Sequence, residues 1–181
     1  MKKLFLNVVG ILSLSICLLS CSKEEDNKVL TPITNAEIKK QWVISEKPVV
    51  NITLRVEQEG TKELLKQLND TLSKCFREGD KYQFEDSGKC KVTRNKSTAP
   101  YPKTYEVKDK HLILDIPNGE IKFLTDFSGS KLTLKASTDE IRELVKPELE
   151  KRFEATLVPS ILNFFGGEIQ LVLTEEPAED K

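Results

Sequence analysis

Few residues of this sequence combine types and spacing that could do acid–base or nucleophilic chemistry. His111 is the single histidine and directly follows the charged turn at residues 108–110, so we interpret it as a solvated turn residue rather than a general base. The segment 128–130, Ser-Gly-Ser, lacks the flanking residues and the strand-to-helix setting of a nucleophile elbow. The acids at residues 85–86 also lie in a predicted turn. We therefore expect a protein that is not an enzyme and has no cofactor.

The start of the chain predicts processing and attachment to a membrane. Lys2 and Lys3 precede an apolar run over residues 4–19, and Cys21 follows this run after one serine. The run is short and interrupted for a transmembrane helix, and its flanks are typical of a cleaved signal. The pattern resembles a bacterial lipoprotein signal peptide, which implies cleavage after residue 20 and acylation of Cys21. The implied location is the outer membrane, with exposure at the cell surface as one arrangement.

Composition limits the remaining function classes. Removing residues 1–20 leaves 161 of the 181 residues, which is enough for one domain with a substantial core. Two of the 28 basic residues, Lys2 and Lys3, leave with the signal peptide. The remaining chain therefore has 26 basic and 29 acidic residues. Because nucleic-acid binding needs a basic surface to neutralise phosphates, this balance argues against a nucleic-acid partner.

Cysteine usage predicts a disulfide. Cys17 leaves with the signal peptide and Cys21 carries the lipid, so Cys75 and Cys90 remain. An oxidising compartment favours their oxidation to a bridge worth about 3 kcal/mol, with two free buried thiols as the alternative. Two thiols and His111 do not supply a four-ligand metal site, so we expect no metal.

The domain boundaries follow from polarity and periodicity. We expect a lipidated, polar tether over residues 21–35, a folded domain over residues 36–174 and a disordered charged tail over residues 175–181. The domain begins with strands at residues 41–46 and 49–57. An amphipathic helix follows over residues 61–76, with Cys75 on its apolar face.

The rest of the domain is predicted to be an antiparallel meander followed by a broken helix. Residues 81–136 alternate apolar and polar side chains through six short strands separated by turns. Ser137 and Glu140 form a capping box for a helical segment that Pro147 either kinks or divides into two helices, and Pro159 opens a last helical turn. The glycines at 166–167 are expected to end this helical segment before a last strand at residues 168–174. The fold class is therefore mainly β with α inserts (α+β).

The order of these elements resembles that of the lipocalin-like domains of uncharacterised Bacteroidetes lipoproteins. The resemblance implies a lipocalin-like curved sheet or barrel of about nine strands with an inserted amphipathic helix. It rests on a first-strand tryptophan, a Pro-Val-Val second strand, a hairpin of the form Phe-x-Asp-x-Gly, and aromatic and leucine positions of later strands: Trp42, Pro48, Phe84, Asp86, Gly88, Tyr105, Leu132 and Leu134.

Five aromatic residues admit two interpretations. They line a ligand cavity, or they form the core of the sheet beneath the two helical segments. These residues are Trp42, Tyr82, Phe84, Tyr105 and Phe123. The function expected from the sequence is a lipid-anchored envelope module that binds a small apolar molecule or a glycan. The alternatives are a surface protein–protein interaction, as an accessory subunit of an envelope complex, and an envelope hydrolase.

One candidate modification site accompanies these residues. Asp70, Thr71 and Leu72 match an acid–hydroxyl–apolar pattern for O-glycosylation described for Bacteroidetes envelope proteins. The pattern marks Thr71 as the acceptor, although it falls within the helix predicted over residues 61–76.

Overall fold

The computed structural model describes residues 30–57, 59–99, 101–117 and 119–176. The predicted signal peptide, the predicted acylation site Cys21 and residues 177–181 lie outside the described residues. No helix within the described residues is long and apolar enough to cross a membrane.

The prediction of a mainly β chain is confirmed, with ten strands in the described residues where about nine were expected. The additional strand is β5, a two-residue pairing that is too short to produce a periodic pattern. The strands are β1 Gln41–Ile44, β2 Val49–Leu54, β3 Lys81–Phe84, β4 Cys90–Arg94, β5 Ser97–Thr98, β6 Tyr105–Lys108, β7 His111–Ile116, β8 Gly119–Ser128, β9 Lys131–Ala136 and β10 Phe165–Glu175. The helices are α1 Thr61–Cys75, α2 Thr138–Arg152 and α3 Val158–Leu162, with a 3-10 turn at Glu37–Lys39.

All ten strands belong to one antiparallel sheet. Its order is β5-β4-β3-β1-β10-β9-β8-β7-β6, and β2 pairs with β10 beside β1. The path of paired strands therefore ends at β5 and at β6. An isolated bridge between Lys89 and Thr104 nevertheless joins the two flanks, and the N–H of Cys90 donates to the carbonyl of Lys103 at 2.7 Å. These contacts bring the start of β4 against the start of β6.

One face of the sheet forms the core together with α1 and α2. Strands β7, β8 and β9 alternate buried residues with half-buried or exposed ones, as period-two strands with one apolar face do. Leu112 pairs with Phe123, and Leu134 pairs with Leu171. The apolar stripe of α1 is buried, and Phe76 just beyond it meets Phe123 edge to face at 5.8 Å between ring centroids.

Helix α2 begins as the sequence predicts. The capping box of Ser137 and Glu140 is present, and the N–H of Ser137 donates to Glu140 Oε2 at 2.8 Å. Pro147 does not divide the segment into two helices, because α2 continues through it to Arg152. A separate helix α3 follows, with Pro159 in its first turn.

The prediction that the glycines at 166–167 end a helix is wrong, because both lie inside β10. Gly167 has a φ of 125°, and a Cβ atom there would come 1.9 Å from the carbonyl oxygen of Asn51 on β2. Its N–H donates to the hydroxyl of Thr138 at 3.2 Å. Glycine is needed at this position because two strands and the start of α2 approach each other closely.

The folded body extends beyond both predicted boundaries. Ile33 is buried at 2 % exposure, and its N–H donates to Thr125 Oγ1 at 3.1 Å, so packing begins before residue 36. Glu175 belongs to β10, and the N–H of Glu176 donates to the carbonyl of Gln41 at 2.9 Å. The tether and tail were predicted from polarity alone, which does not detect backbone pairing by polar residues.

Candidate functional site

The five aromatic residues form packed core rather than the walls of an open cavity. Trp42, Tyr82, Phe84 and Phe123 are each no more than 2 % exposed, and Tyr105 is half-buried. The ring of Phe84 lies 6.0 Å from that of Tyr82 and 4.8 Å from that of Tyr105, measured between centroids. Such ring contacts are typical of a filled aromatic cluster.

A small cavity lies between α1 and α2, next to the turn at Pro117. Its volume is about 30 Å³, and it is lined in part by Leu64, Leu68 and Leu144. That volume holds about one or two water molecules, whereas ligand sites measure roughly 300–1,000 Å³. Thr71 is half-buried and lines this cavity from within α1, so a glycan on its hydroxyl would have to displace neighbouring groups. Thr71 as an acceptor stays a prediction.

A polar groove of about 590 Å³ lies on the opposite side of β6, β7 and β8 from the core. Because side chains alternate along a strand, the buried residues Leu112, Leu114 and Ile121 place their neighbours on the outer face. The first turns of α2 form the second wall. The lining residues are Glu106, Lys108, Asp109, His111, Ile113, Glu120, Lys122, Asp139, Glu140 and Glu143.

Glu140 is the most firmly held side chain of this groove. Its carboxylate accepts hydrogen bonds from the backbone and side chain of Ser137, and it is 14 % exposed. Burial alone raises the pKa of Glu140, but these hydrogen bonds outweigh burial and leave its pKa below the usual value. His111 Nε2 lies 3.9 Å from Glu140 Oε1. An ionised carboxylate therefore faces the imidazole across the groove.

A second contact joins the strands to the helix. Lys122 Nζ donates to Glu143 Oε2 at 2.5 Å, and this hydrogen bond raises the pKa of Lys122. Glu106 and Glu120 have no ion-pair partner among the described residues. The groove therefore combines hydrogen-bond acceptors and donors, with six carboxylates against Lys108, Lys122 and His111.

No single sequence pattern predicts this groove, although two local patterns indicate parts of it. Alternation along β7 and β8 predicts which residues point away from the core. The capping box predicts where α2 begins. What brings Lys122 next to Glu143 is the docking of α2 against β8, a long-range contact with no local sequence pattern. His111, interpreted as a turn residue, is half-buried within β7 and lines the groove.

Cys75 and Cys90 are free, buried thiols in this structure, which is the arrangement of the alternative, and their disulfide stays a prediction. Cys75 ends α1, where its carbonyl accepts a hydrogen bond from the Tyr82 hydroxyl at 3.4 Å. Cys90 pairs with Phe84 across β3 and β4. Compartment and cysteine count favour oxidation but do not ensure the Cβ separation of about 3.5–4.5 Å that a bridge requires. Burial raises the pKa of Cys75 to about 11 and raises that of Cys90 further, which makes both thiols unreactive.

Among the described residues, no group of three or more His, Cys, Asp or Glu side chains is placed to hold a metal ion. Comparison with protein-family models, with curated proteins and with solved structures finds no match for this chain.

Proposed function

We propose that this chain is a non-enzymatic, lipid-anchored domain of the cell envelope that binds a glycan in the outer groove of β6, β7, β8 and α2. The observation that carries the proposal is the contrast between the two sides of these strands. The inner side is packed with aromatic and aliphatic groups, whereas the outer side forms a polar groove of about 590 Å³. A small apolar ligand would instead require the packed interior to open.

The lining of the groove suits a ligand with many hydroxyl groups. Carboxylates such as Glu106 and Glu120 accept hydrogen bonds from hydroxyls, and Lys122 and His111 donate them. Hydrogen bonds to charged groups contribute more than those between neutral groups. Ile113 adds an apolar surface against which the carbon face of a sugar ring packs.

The excess of carboxylates supports a second candidate ligand. Six carboxylates against two lysines give the groove a negative field that attracts a cationic chain. A basic segment of another envelope protein would fit this field, and the chain would then act in a surface complex. The two candidates make opposite demands on Lys122, because a basic segment is repelled by its charge.

The proposed lipid anchor on Cys21 precedes a segment that packs beside the β8–β9 turn. The carbonyl of Thr31 accepts from the N–H of Phe127, and the N–H of Glu175 donates to the carbonyl of Ser130. Thr31 and Glu175 therefore both lie beside this turn. An anchor on Cys21 would hold this end of the domain towards the outer membrane.

We also propose that the domain is a lipocalin-like barrel, as the family resemblance implies. The bridge between Lys89 and Thr104 supports curvature that brings the two flanks of the sheet together. The carboxylate of Asp115 accepts from the backbone N–H of Lys103 and of Thr104, which fixes this segment to β7. The N–H of Tyr105 also donates to the carbonyl of Gly88 at 2.8 Å.

The test is native affinity electrophoresis of the detergent-solubilised full chain in gels that contain envelope polysaccharide. We expect the wild-type protein to be retarded and the Lys122→Ala variant to lose most of this retardation, because one donor is removed. Lys62→Ala is the matched control, since Lys62 is 77 % exposed and lies outside the groove.

Two outcomes would contradict glycan binding. Lack of retardation of the wild type by any envelope polysaccharide overturns the proposal. Tighter binding of a lysine-rich peptide by Lys122→Ala, with no polysaccharide binding, supports the basic-segment candidate instead. Thermal unfolding of each variant shows whether a loss of binding reflects a loss of folding.

A further inference from the structure

A second pocket lies where the two flanks of the sheet meet, and we call it the seam pocket. It lies between β4 and the segment that leads from β5 to β6, and its lining includes residues 89–92, Ala99, Pro102 and Lys103. Its volume is about 400 Å³, within the range of about 300–1,000 Å³ that is typical of ligand sites. None of its lining residues belongs to the outer groove, so the two sites are separate.

Three exposed lysines give the seam pocket a positive field. Lys89, Lys91 and Lys103 line it, and none of the three has an ion-pair partner among the described residues. Glu85 is the one carboxylate of this described lining. The field is therefore opposite in sign to that of the outer groove, and it attracts an anion.

Lys103 is held in place by its neighbours. Its carbonyl accepts from the N–H of Cys90 at 2.7 Å, and its own N–H donates to Asp115 Oδ1 at 2.5 Å. Its Nζ lies 5.1 Å from the centroid of the Tyr101 ring. A cation that is already positioned loses less conformational freedom when it binds a ligand.

A buried backbone donor points to the same pocket. The carbonyl of Val92 accepts from the N–H of Ala99 at 2.8 Å, and both backbone groups of a strand residue point to the same side. The pairing of β4 with β5 covers only residues 93–94, and no described group accepts a hydrogen bond from the N–H of Val92. Val92 is 1 % exposed. Because buried backbone N–H groups nearly always have a partner, this donor favours an acceptor in the pocket.

We propose that the seam pocket binds a phosphate monoester, with the phosphate between the lysines and the organic group against Ala99 and Pro102, which are buried. A phosphate monoester carries a charge of about −1.5 to −2 at neutral pH, which matches three lysines against Glu85. Lysine binds phosphate as a point charge, and the phosphate oxygens also accept from a backbone N–H. The inference does not depend on the ligand of the outer groove.

The experiment is isothermal titration calorimetry of the full chain in neutral detergent micelles, with phenyl phosphate as the probe. We expect saturable binding by the wild type. Lys103→Met should raise the dissociation constant at least about fivefold, because it removes a charge-assisted contact. Glu85→Gln should lower the dissociation constant at least about threefold, because it removes the repelling carboxylate. Lys135→Met is the matched control and should leave the constant unchanged, since Lys135 is an exposed strand lysine outside the pocket.

Two further ligands identify the chemistry and its source. Benzoate has the same ring with a single negative charge and should bind more weakly than phenyl phosphate. Phosphatidic acid in the micelles should displace phenyl phosphate if the natural ligand is a lipid headgroup, and should leave its binding unchanged if the ligand is a soluble ester.

Four outcomes overturn the proposal. They are no binding of phenyl phosphate by the wild type, equal binding of benzoate, equal effects of Lys103→Met and Lys135→Met, and weaker binding by Glu85→Gln. Thermal unfolding shows whether each variant is folded. The tighter binding expected of Glu85→Gln cannot result from a loss of folding.

Discussion

The two faces of β7 and β8 are built from alternating residues of the same two strands and have opposite properties. The inner face carries Leu112, Leu114, Ile121 and Phe123, which are fully buried. The outer face carries groups such as His111 and Lys122, which line an open groove. Successive side chains of a strand point to opposite sides of the sheet. The alternation of apolar and polar residues in the sequence therefore places one set in the core and the other in the groove.

This comparison shows that the interior stabilises the fold while the outer face remains available for binding. The inner face gains stability from burying apolar surface, and each group there contacts several others. The groove relies on a few ionic and capping contacts at the start of α2. Substitutions on the two faces should therefore change different measurable quantities.

The largest expected effect is on the inner face. Phe84→Ala should lower the free energy of unfolding by about 3–5 kcal/mol, because Phe84 is buried and in ring contact on two sides. Denaturant titration of both proteins measures the change. Val49→Ala, at an exposed site, is the control and should cost less than about 0.5 kcal/mol. A cost below about 1 kcal/mol for Phe84→Ala would indicate an open interior.

A smaller effect is expected where α2 begins. Ser137→Ala removes the hydroxyl of the capping box and should cost about 1 kcal/mol of unfolding free energy. The loss should also loosen Glu140, and with it the wall of the groove. Ser73→Ala is a suitable control, because Ser73 lies near the end of α1 and its hydroxyl donates to the carbonyl of Asp70 at 2.9 Å, within the same helix. Equal costs for the two variants would rule out a special role for the cap.

The ionisation of Glu140 gives this wall a defined pH dependence. Since the pKa of Glu140 is lower in the folded state than in the unfolded state, its ionised form stabilises the fold above the unfolded value of about 4.3. This contribution is lost as the pH falls through the folded pKa. The unfolding free energy of the wild type should therefore exceed that of Glu140→Gln at neutral pH, and this difference should disappear at acidic pH. A pH-independent difference in unfolding free energy would contradict this assignment.

The smallest expected effect is that of a reducing agent. Because Cys75 and Cys90 are free thiols, dithiothreitol should leave the unfolding free energy unchanged. A disulfide would instead give a loss of about 2–5 kcal/mol on reduction. Slow alkylation of the native protein, accelerated by denaturant, would confirm that both thiols are buried.

Periodicity predicted much of this fold because it is a local property of the chain. The alternation through Leu112 and Phe123 predicted inner-face strands, and Ser137 with Glu140 predicted the start of α2. The failures depended on distant contacts. The role of Gly167 depends on Asn51, more than a hundred residues earlier. The outer groove likewise requires β8 and α2 to meet, which no local pattern encodes.

Native mass spectrometry of the full chain, released from its membrane in mild detergent, tests the central claim most directly. The aromatic face of the sheet is packed, and the cavity of about 30 Å³ between α1 and α2 is too small for an apolar ligand. We expect the mass of the lipidated polypeptide, without a bound apolar molecule that survives removal of detergent and lipid. A stoichiometric apolar adduct of several hundred daltons in the wild type would contradict the claim that binding occurs on the outer face.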